Sequence, residues 1–317
     1  MHIPDGFLSP TVTVATGVLG AAGVGVALRQ LRGSVGDRLV PLVGVTAAAI
    51  FAGQMVNFPL IGLPASGHLM GGVLAAALLG PWGGALALTA VLFVQCLVFG
   101  DGGLTALGAN VINMALIGST LGYFVFDGLR RVIGGNRGTI VAAVIASWLM
   151  VAVSALAFSL EMSAGGDFPF TTLATWMLLF HAVIGLGEAC ITGLAIAWIV
   201  RVRPELIYGG QQTLSPATPA RYLTAAGLSL ALAVAVFAAP FASQWDDGLE
   251  AVADRVGFAD RAVEATIAPL PDYTFPGLPP WLAASALATS LVGLVGTTIT
   301  WGVAWGVARG AARVVET

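Results

Sequence analysis

Gly138-Thr-Ile-Val-Ala-Ala-Val-Ile-Ala-Ser-Trp-Leu-Met-Val-Ala-Val-Ser-Ala-Leu-Ala-Phe-Ser-Leu160 carries no ionisable side chain. At about 1.5 Å of rise per residue, roughly 20 apolar residues in a helix cross the ~30 Å hydrocarbon layer of a bilayer. Inside that layer every backbone N–H and C=O needs an internal partner, which an α-helix supplies within one segment. The stretch therefore predicts a membrane-spanning helix. Similar apolar runs occur at 8–28, 39–58, 66–80, 82–100, 104–127, 171–200, 222–242 and 281–308, which with 138–160 makes nine candidate spans. The chain is 57% hydrophobic and 9% charged, against roughly 25% charge in a soluble domain. The expected fold is an all-α polytopic membrane protein.

Arginine placement predicts its orientation. All 13 basic residues are Arg, and eleven of them cluster at 29, 32 and 38, at 130, 131 and 137, at 201, 203 and 221, and at 309 and 313, leaving only Arg255 and Arg261 elsewhere. By the positive-inside rule these clusters are cytoplasmic, with the N-terminus outside and the C-terminus inside. Arg38 and Arg130 then lie on one side with an even number of crossings between them, so 66–80 counts as a short span. Asp5, Asp101, Glu161, Asp167 and the run from Asp246 to Asp272 fall on the outer face. Translocated loops lack Arg in any case, so this acidity is not by itself a metal site.

The absence of Lys excludes a P-loop ATPase and a Schiff-base enzyme, so ATP-driven work must come from another chain. Cys96 and Cys190 sit in apolar runs without ligand spacing and read as packing residues. Residues 204–220 are rich in Pro, Gly and polar groups and read as a linker. It separates a seven-helix part, 1–203, from a two-helix hairpin, 221–317. The hairpin carries one long polar segment, 243–280, in which Leu249, Val252 and Val256 have helical spacing. That segment is expected to lie across an outer mouth.

Met1-His2-Ile3-Pro4-Asp5-Gly6 suggests chemistry. The α-amine, the His2 amide and the nearer imidazole nitrogen close a five- and a six-membered chelate ring, placing three nitrogens nearly in a plane. Such a set suits Ni(II) and Cu(II), tolerates Co(II) and fits Mg, Ca or tetrahedral Zn poorly. The reading needs an untrimmed Met1 and no cleaved signal peptide, and the basic leading region of such a peptide is missing. A fourth nitrogen could come from His68, which follows Ser66-Gly67 on the outer side, or from His181. The latter shares a helix face with Gly185 and Glu188 and reads better as a structural or supporting group.

Six blocks in order resemble the CbiM/NikM family. These are Met1-His-Ile-Pro-Asp-Gly-Phe-Leu-Ser-Pro10, Gln54-Met-Val-Asn-Phe-Pro59, Ser66-Gly-His-Leu-Met-Gly-Gly72, Leu79-Gly-Pro-Trp82, the run Asp101 to Met114, and His181-x3-Gly-x-Gly-Glu-Ala-x2-Ile-Thr192. Trp245-Asp-Asp-Gly-Leu-Glu250 in the hairpin resembles the N-type component of the same systems, with Asp246 where that signature has Pro. The resemblance implies a seven-helix metal-binding component of an energy-coupling-factor importer for nickel or cobalt in a bacterial or archaeal cytoplasmic membrane. It implies an integral-membrane coupling partner and two ATPase subunits on other chains, and no catalytic residues. Metal ligation is implied for Met1, His2 and His68.

Asn57, Ser66, Asn110, Asn113, His181 and Glu188 are the candidates to support those ligands, and Gln54 and Gln95 read as hydrogen-bonding between helices. Small residues four apart, Ala48/Ala52, Gly118/Gly122 and Gly302/Gly306, permit close helix contact, and by resemblance Ala48/Ala52 is expected to dock the coupling partner. Fusion to the hairpin inclines the metal toward nickel. A rival reading is an intramembrane metalloenzyme built on His181 and Glu188, with Asp101 or Glu161 in support, but no H-E-x-x-H motif exists.

Overall fold

The structure, a computed structural model, describes residues 2–31, 39–209, 220–263, 267–283 and 285–313. Its helices are α1 (Pro10–Leu31), α2 (Leu39–Gln54), α3 (Gly72–Phe99), α4 (Leu107–Ile133), α5 (Gly135–Ala164), α6 (Phe170–Val202), α7 (Ala220–Phe237), α8 (Gly248–Val256) and α9 (Ala286–Arg313). All but α8 and the 16-residue α2 are long and apolar enough to cross a bilayer. Met1, Arg32, Arg38 and most of the expected linker lie outside the described residues.

The spans expected at 66–80 and 82–100 are the two arms of α3. Gly80 leaves the helical region (φ 75°, ψ 175°) just before Pro81. A Cβ on Gly84 would lie 2.9 Å from the Cα of Ala76, although eight residues of straight helix would separate them by about 12 Å. The chain therefore doubles back at Gly80, where only glycine adopts the positive φ without strain. The Tyr208 ring closes over this turn, and its N–H donates to Ala77 C=O at 2.8 Å.

The first arm differs from expectation in being too short to cross. Residues 66–71 are not helical: Ser66–Gly67 pairs with Phe58–Pro59 as a two-residue antiparallel ribbon, β2 on β1. Met70 and Gly72 lie against Gly118 in the middle of α4. Irregular backbone survives among helices only when its polar groups are satisfied by protein, and Glu188 of α6 does this. Its carboxylate accepts from Met70 N–H at 2.6 Å and Gly71 N–H at 3.0 Å.

Helices α7 and α9 pack on α2. Ala48 and Ala52 are buried with Ala231 and Ala235 of α7, so the expectation that Ala48/Ala52 docks another subunit fails; the face is filled by the chain's own hairpin. Gly118 and Gly122 pack internally, against Met70 and against Val73 and Met150. Cys96 is buried as expected, whereas Cys190, expected to pack, is exposed on α6. The Ser163–Phe170 corner and the outer segment meet at Phe258, whose ring contacts Phe7, Phe158 and Phe168.

Candidate metal centre

Residues 2–9 tuck inward and are pinned at both edges. Asn110 of α4 holds the backbone of Ile3, accepting from its N–H at 2.8 Å and donating to its C=O at 3.1 Å. Gly103 N–H donates to the same carbonyl at 2.8 Å. Asp5 accepts from Leu104 N–H at 3.1 Å and Thr105 N–H at 2.8 Å, and its own C=O accepts from Val263 N–H of the outer segment. Ile3 and Phe7 are buried.

This clamp brings His2 face to face with His68, their rings stacked at 5.1 Å and 15°. A chain of amides fixes the His2 tautomer. Gln54 donates to Met70 C=O at 3.0 Å and accepts from Gln95 at 2.8 Å, which leaves Gln95 Oε1 to accept from His2 Nε2–H at 3.1 Å. Nδ1, the atom the six-membered chelate ring requires, is then the lone-pair nitrogen. It faces Asp101 Oδ1 at 3.1 Å. Burial pushes the Asp101 carboxyl above the ordinary carboxylate range, which suits a proton shared with Nδ1. His68 Nδ1–H donates to Leu69 C=O at 2.9 Å, turning Nε2 toward Asp247 Oδ2 at 4.0 Å. A ring N–H fixed on a carbonyl is the usual arrangement of a metal-binding imidazole. Burial holds both imidazoles neutral, each pushed down to about 3.

Two stacked rings do not share a coordination plane. For both to bind one ion, His2 must turn and exchange Asp101 for the metal. Among the described residues no group of three or more His, Cys, Asp or Glu is arranged to hold an ion, and Met1 lies outside them.

The outer segment reaches both histidines. Tyr273 O–H donates to Asp101 at 2.6 Å and stands 3.3 Å from Gln95. Asp247 faces His68 and also caps α8, accepting from Leu249 N–H and Glu250 N–H while Glu250 accepts from Asp247 N–H. Ser66 donates to Trp245 C=O at 2.8 Å, and Asn57 C=O accepts from Ser243 N–H at 2.8 Å. Ser66 and the Asn57 backbone thus hold the outer segment.

Of the other expected supports, Asn110 and Glu188 hold the backbone beside His2 and His68. Asn113 does not: its amide donates to Glu161 at 2.8 Å between helices. His181 Nδ1–H donates to Met177 C=O at 2.9 Å, and its Nε2 has no partner among the described residues. Gln54 and Gln95, expected to hydrogen-bond between helices, do so at 2.8 Å, and Gln95 also accepts from His2. Asp247 and Tyr273 were missed as site residues, although Asp247-Gly-Leu-Glu250 reads as a capping box that would fix the start of a helix. The metalloenzyme arrangement is not formed, since both Glu188 oxygens are engaged by backbone N–H groups and Glu161 by Asn113.

A family model described as CbiM, cobalt uptake substrate-specific transmembrane region, matches residues 2–206, and the PDGLE domain model matches 221–313. The chain belongs to the CbiM family. A relative from Archaeoglobus fulgidus, whose proposed name is fused nickel transport protein NikMN, is 38% identical over 94% of this chain and 95% of its own length. The fused nickel transport protein NikMN of Rhodobacter capsulatus is 34% identical over 70% of this chain and 67% of its own. A crystal structure titled as a transition metal transporter is 30% identical and superposes with a TM-score of 0.58, covering 64% of this chain and 93% of that one. This CbiM-family chain, with its PDGLE hairpin, is a multi-pass membrane protein of metal transport.

Proposed function

We propose that the chain is the substrate-capture subunit of an energy-coupling-factor importer for Ni(II) or Co(II), with nickel favoured. The observation that carries this reading is the Asn110 clamp, which sets the N-terminal loop so that His2 meets His68 with a lone-pair nitrogen on each ring. The Met1 amine, the His2 amide and Nδ1, and His68 Nε2 complete the planar nitrogen set. Residues 1–203 hold the ion, 204–220 link, and 221–317 form the hairpin whose segment 243–280 covers the site from outside. The N-terminus faces out and the C-terminus faces the cytoplasm of a bacterial or archaeal cell. An integral-membrane coupling subunit and two ATPase chains supply the energy.

Nickel is favoured because the relative covering nearly the whole chain bears a nickel name. Titration of the purified protein with Ni(II) and Co(II), beside a variant with one residue added before Met1 and beside His68→Ala, tests the reading. Both variants should lose tight binding. Parent-like Ni(II) affinity in either refutes it.

A further inference from the structure

His181 lies about one third of the way along α6 and is only 2% exposed. Its Nδ1–H is committed to Met177 C=O, so Nε2 carries the lone pair and meets no donor among the described residues. A buried imidazole that merely packs has both nitrogens satisfied, since an orphaned buried acceptor costs about 1–3 kcal/mol. Nε2 faces a small cavity: Gly248 has no side chain there, and a Cβ on it would lie 3.6 Å from Nε2. The cavity holds about 20 Å³ and is lined by His68, Met70, Met114, His181, Asp247 and Gly248, with Val151 and Ile184 closing it.

That lining is selective. Two imidazoles and two thioethers, of which Met70 Sδ also accepts from Ser154 Oγ at 3.8 Å, are donors for late transition metals, while the single carboxylate of Asp247 falls short of the several oxygen ligands that Mg and Ca require. The space takes one water-sized particle. His68 belongs both to this cavity and to the capture site, so an ion that leaves His2 while still held by His68 has His181 as its next nitrogen. Thioethers bind Ni(II) and Co(II) less firmly than amine and amide nitrogens do. A station on a path needs such weaker binding, because an ion in transit must be held well enough to enter and weakly enough to leave.

We infer that this cavity is a second, weaker metal site on the route inward, with His181 Nε2 and the Met70 and Met114 thioethers as donors and His68 shared with the capture site. The inference rests on the reading of His2 and His68 as capture ligands. It is tested in the full-length chain with Ni(II) as the probe. His2→Ala should bind Ni(II) at least tenfold more weakly than the parent but measurably. Adding His181→Ala or Met114→Leu to it should weaken that residual binding at least tenfold again, and X-ray absorption at the Ni edge should show a sulfur neighbour in His2→Ala that Met114→Leu diminishes. Met114→Leu nearly conserves volume and so perturbs the fold less than His181→Ala does.

Residual binding unchanged by both additions, with no sulfur neighbour, overturns the second site and leaves the cavity to a bound water. A parent that binds no Ni(II) overturns the capture reading instead. In cells, His181→Ala with parent-like capture affinity should lower nickel accumulation at least fivefold; unchanged accumulation makes His181 a packing residue and refutes the route.

Discussion

Replacing Asn110 by Ala tests how the metal site is held together. Ile3 is fully buried and its N–H has Asn110 Oδ1 as acceptor, whereas its C=O keeps Gly103 N–H after the change. Orphaning one buried N–H costs about 1–3 kcal/mol, and losing the second bond to a carbonyl that keeps a partner adds about 0.5–1.5 kcal/mol at most. If that energy orders the loop before metal arrives, the ion must supply it in the variant. At ~1.4 kcal/mol per factor of ten, Ni(II) affinity should fall roughly 5- to 1,000-fold. Asn113→Ala is the matched control on the same helix, because it removes a bond to Glu161 and touches no ligand loop; it should lower the melting temperature and leave affinity within about twofold. Calorimetric titration with Ni(II) alongside thermal unfolding in detergent separates the two. Parent-like affinity in Asn110→Ala, or an equal loss in Asn113→Ala, refutes the clamp.

Burial pushes His2 and His68 down to about 3, so their protons do not compete with metal near neutrality. The α-amine, near 7.8 by reference, and the His2 amide, whose N–H proton must leave for its nitrogen to bind the ion, then set the pH dependence, and affinity should fall no more than about a hundredfold per pH unit below that value; a fall of several hundredfold or more between pH 7 and 6 would restore the imidazoles as competitors. In the metal-free protein the unfolded imidazoles take protons from about pH 6.5 downward while the folded ones stay neutral until about 3. Stability is therefore complete above pH 6.5 and falls progressively toward pH 3, and an unchanged melting temperature between pH 7.5 and pH 5 would contradict this. Tyr273→Phe removes the hydroxyl that donates to Asp101 and should destabilise by about 1–2 kcal/mol, read by thermal unfolding; no shift would make that contact idle. Gly80→Ala forces a side chain into φ 75° against the Tyr208 ring and should cost at least about 1–2 kcal/mol, with a parent-like melting temperature arguing against the reversal at Gly80.

Sequence alone determined the membrane class, because a charge-free run such as 138–160 has one low-energy home and its period does not depend on neighbours. It also determined the possible ligands: with three histidines and no Lys, the nitrogen chemistry available to a metal is a short inventory. The broken third span was legible in part, since Gly80-Pro81 announces a turn, but the unwound approach at 66–71 was not. That approach depends on Glu188, more than a hundred residues away, satisfying backbone that would otherwise be helical. The roles of the amides were likewise hidden. Asn110 and Asn113 share a helix face and a residue type, and only the tertiary structure gave the first to Ile3 and the second to Glu161. Gln95 of α3 reaches His2, Asp247 of the outer segment faces His68, and Tyr273 of the same segment bonds Asp101 beside them; no local pattern encodes such a meeting, because it is decided by how α3 and the hairpin pack around α2.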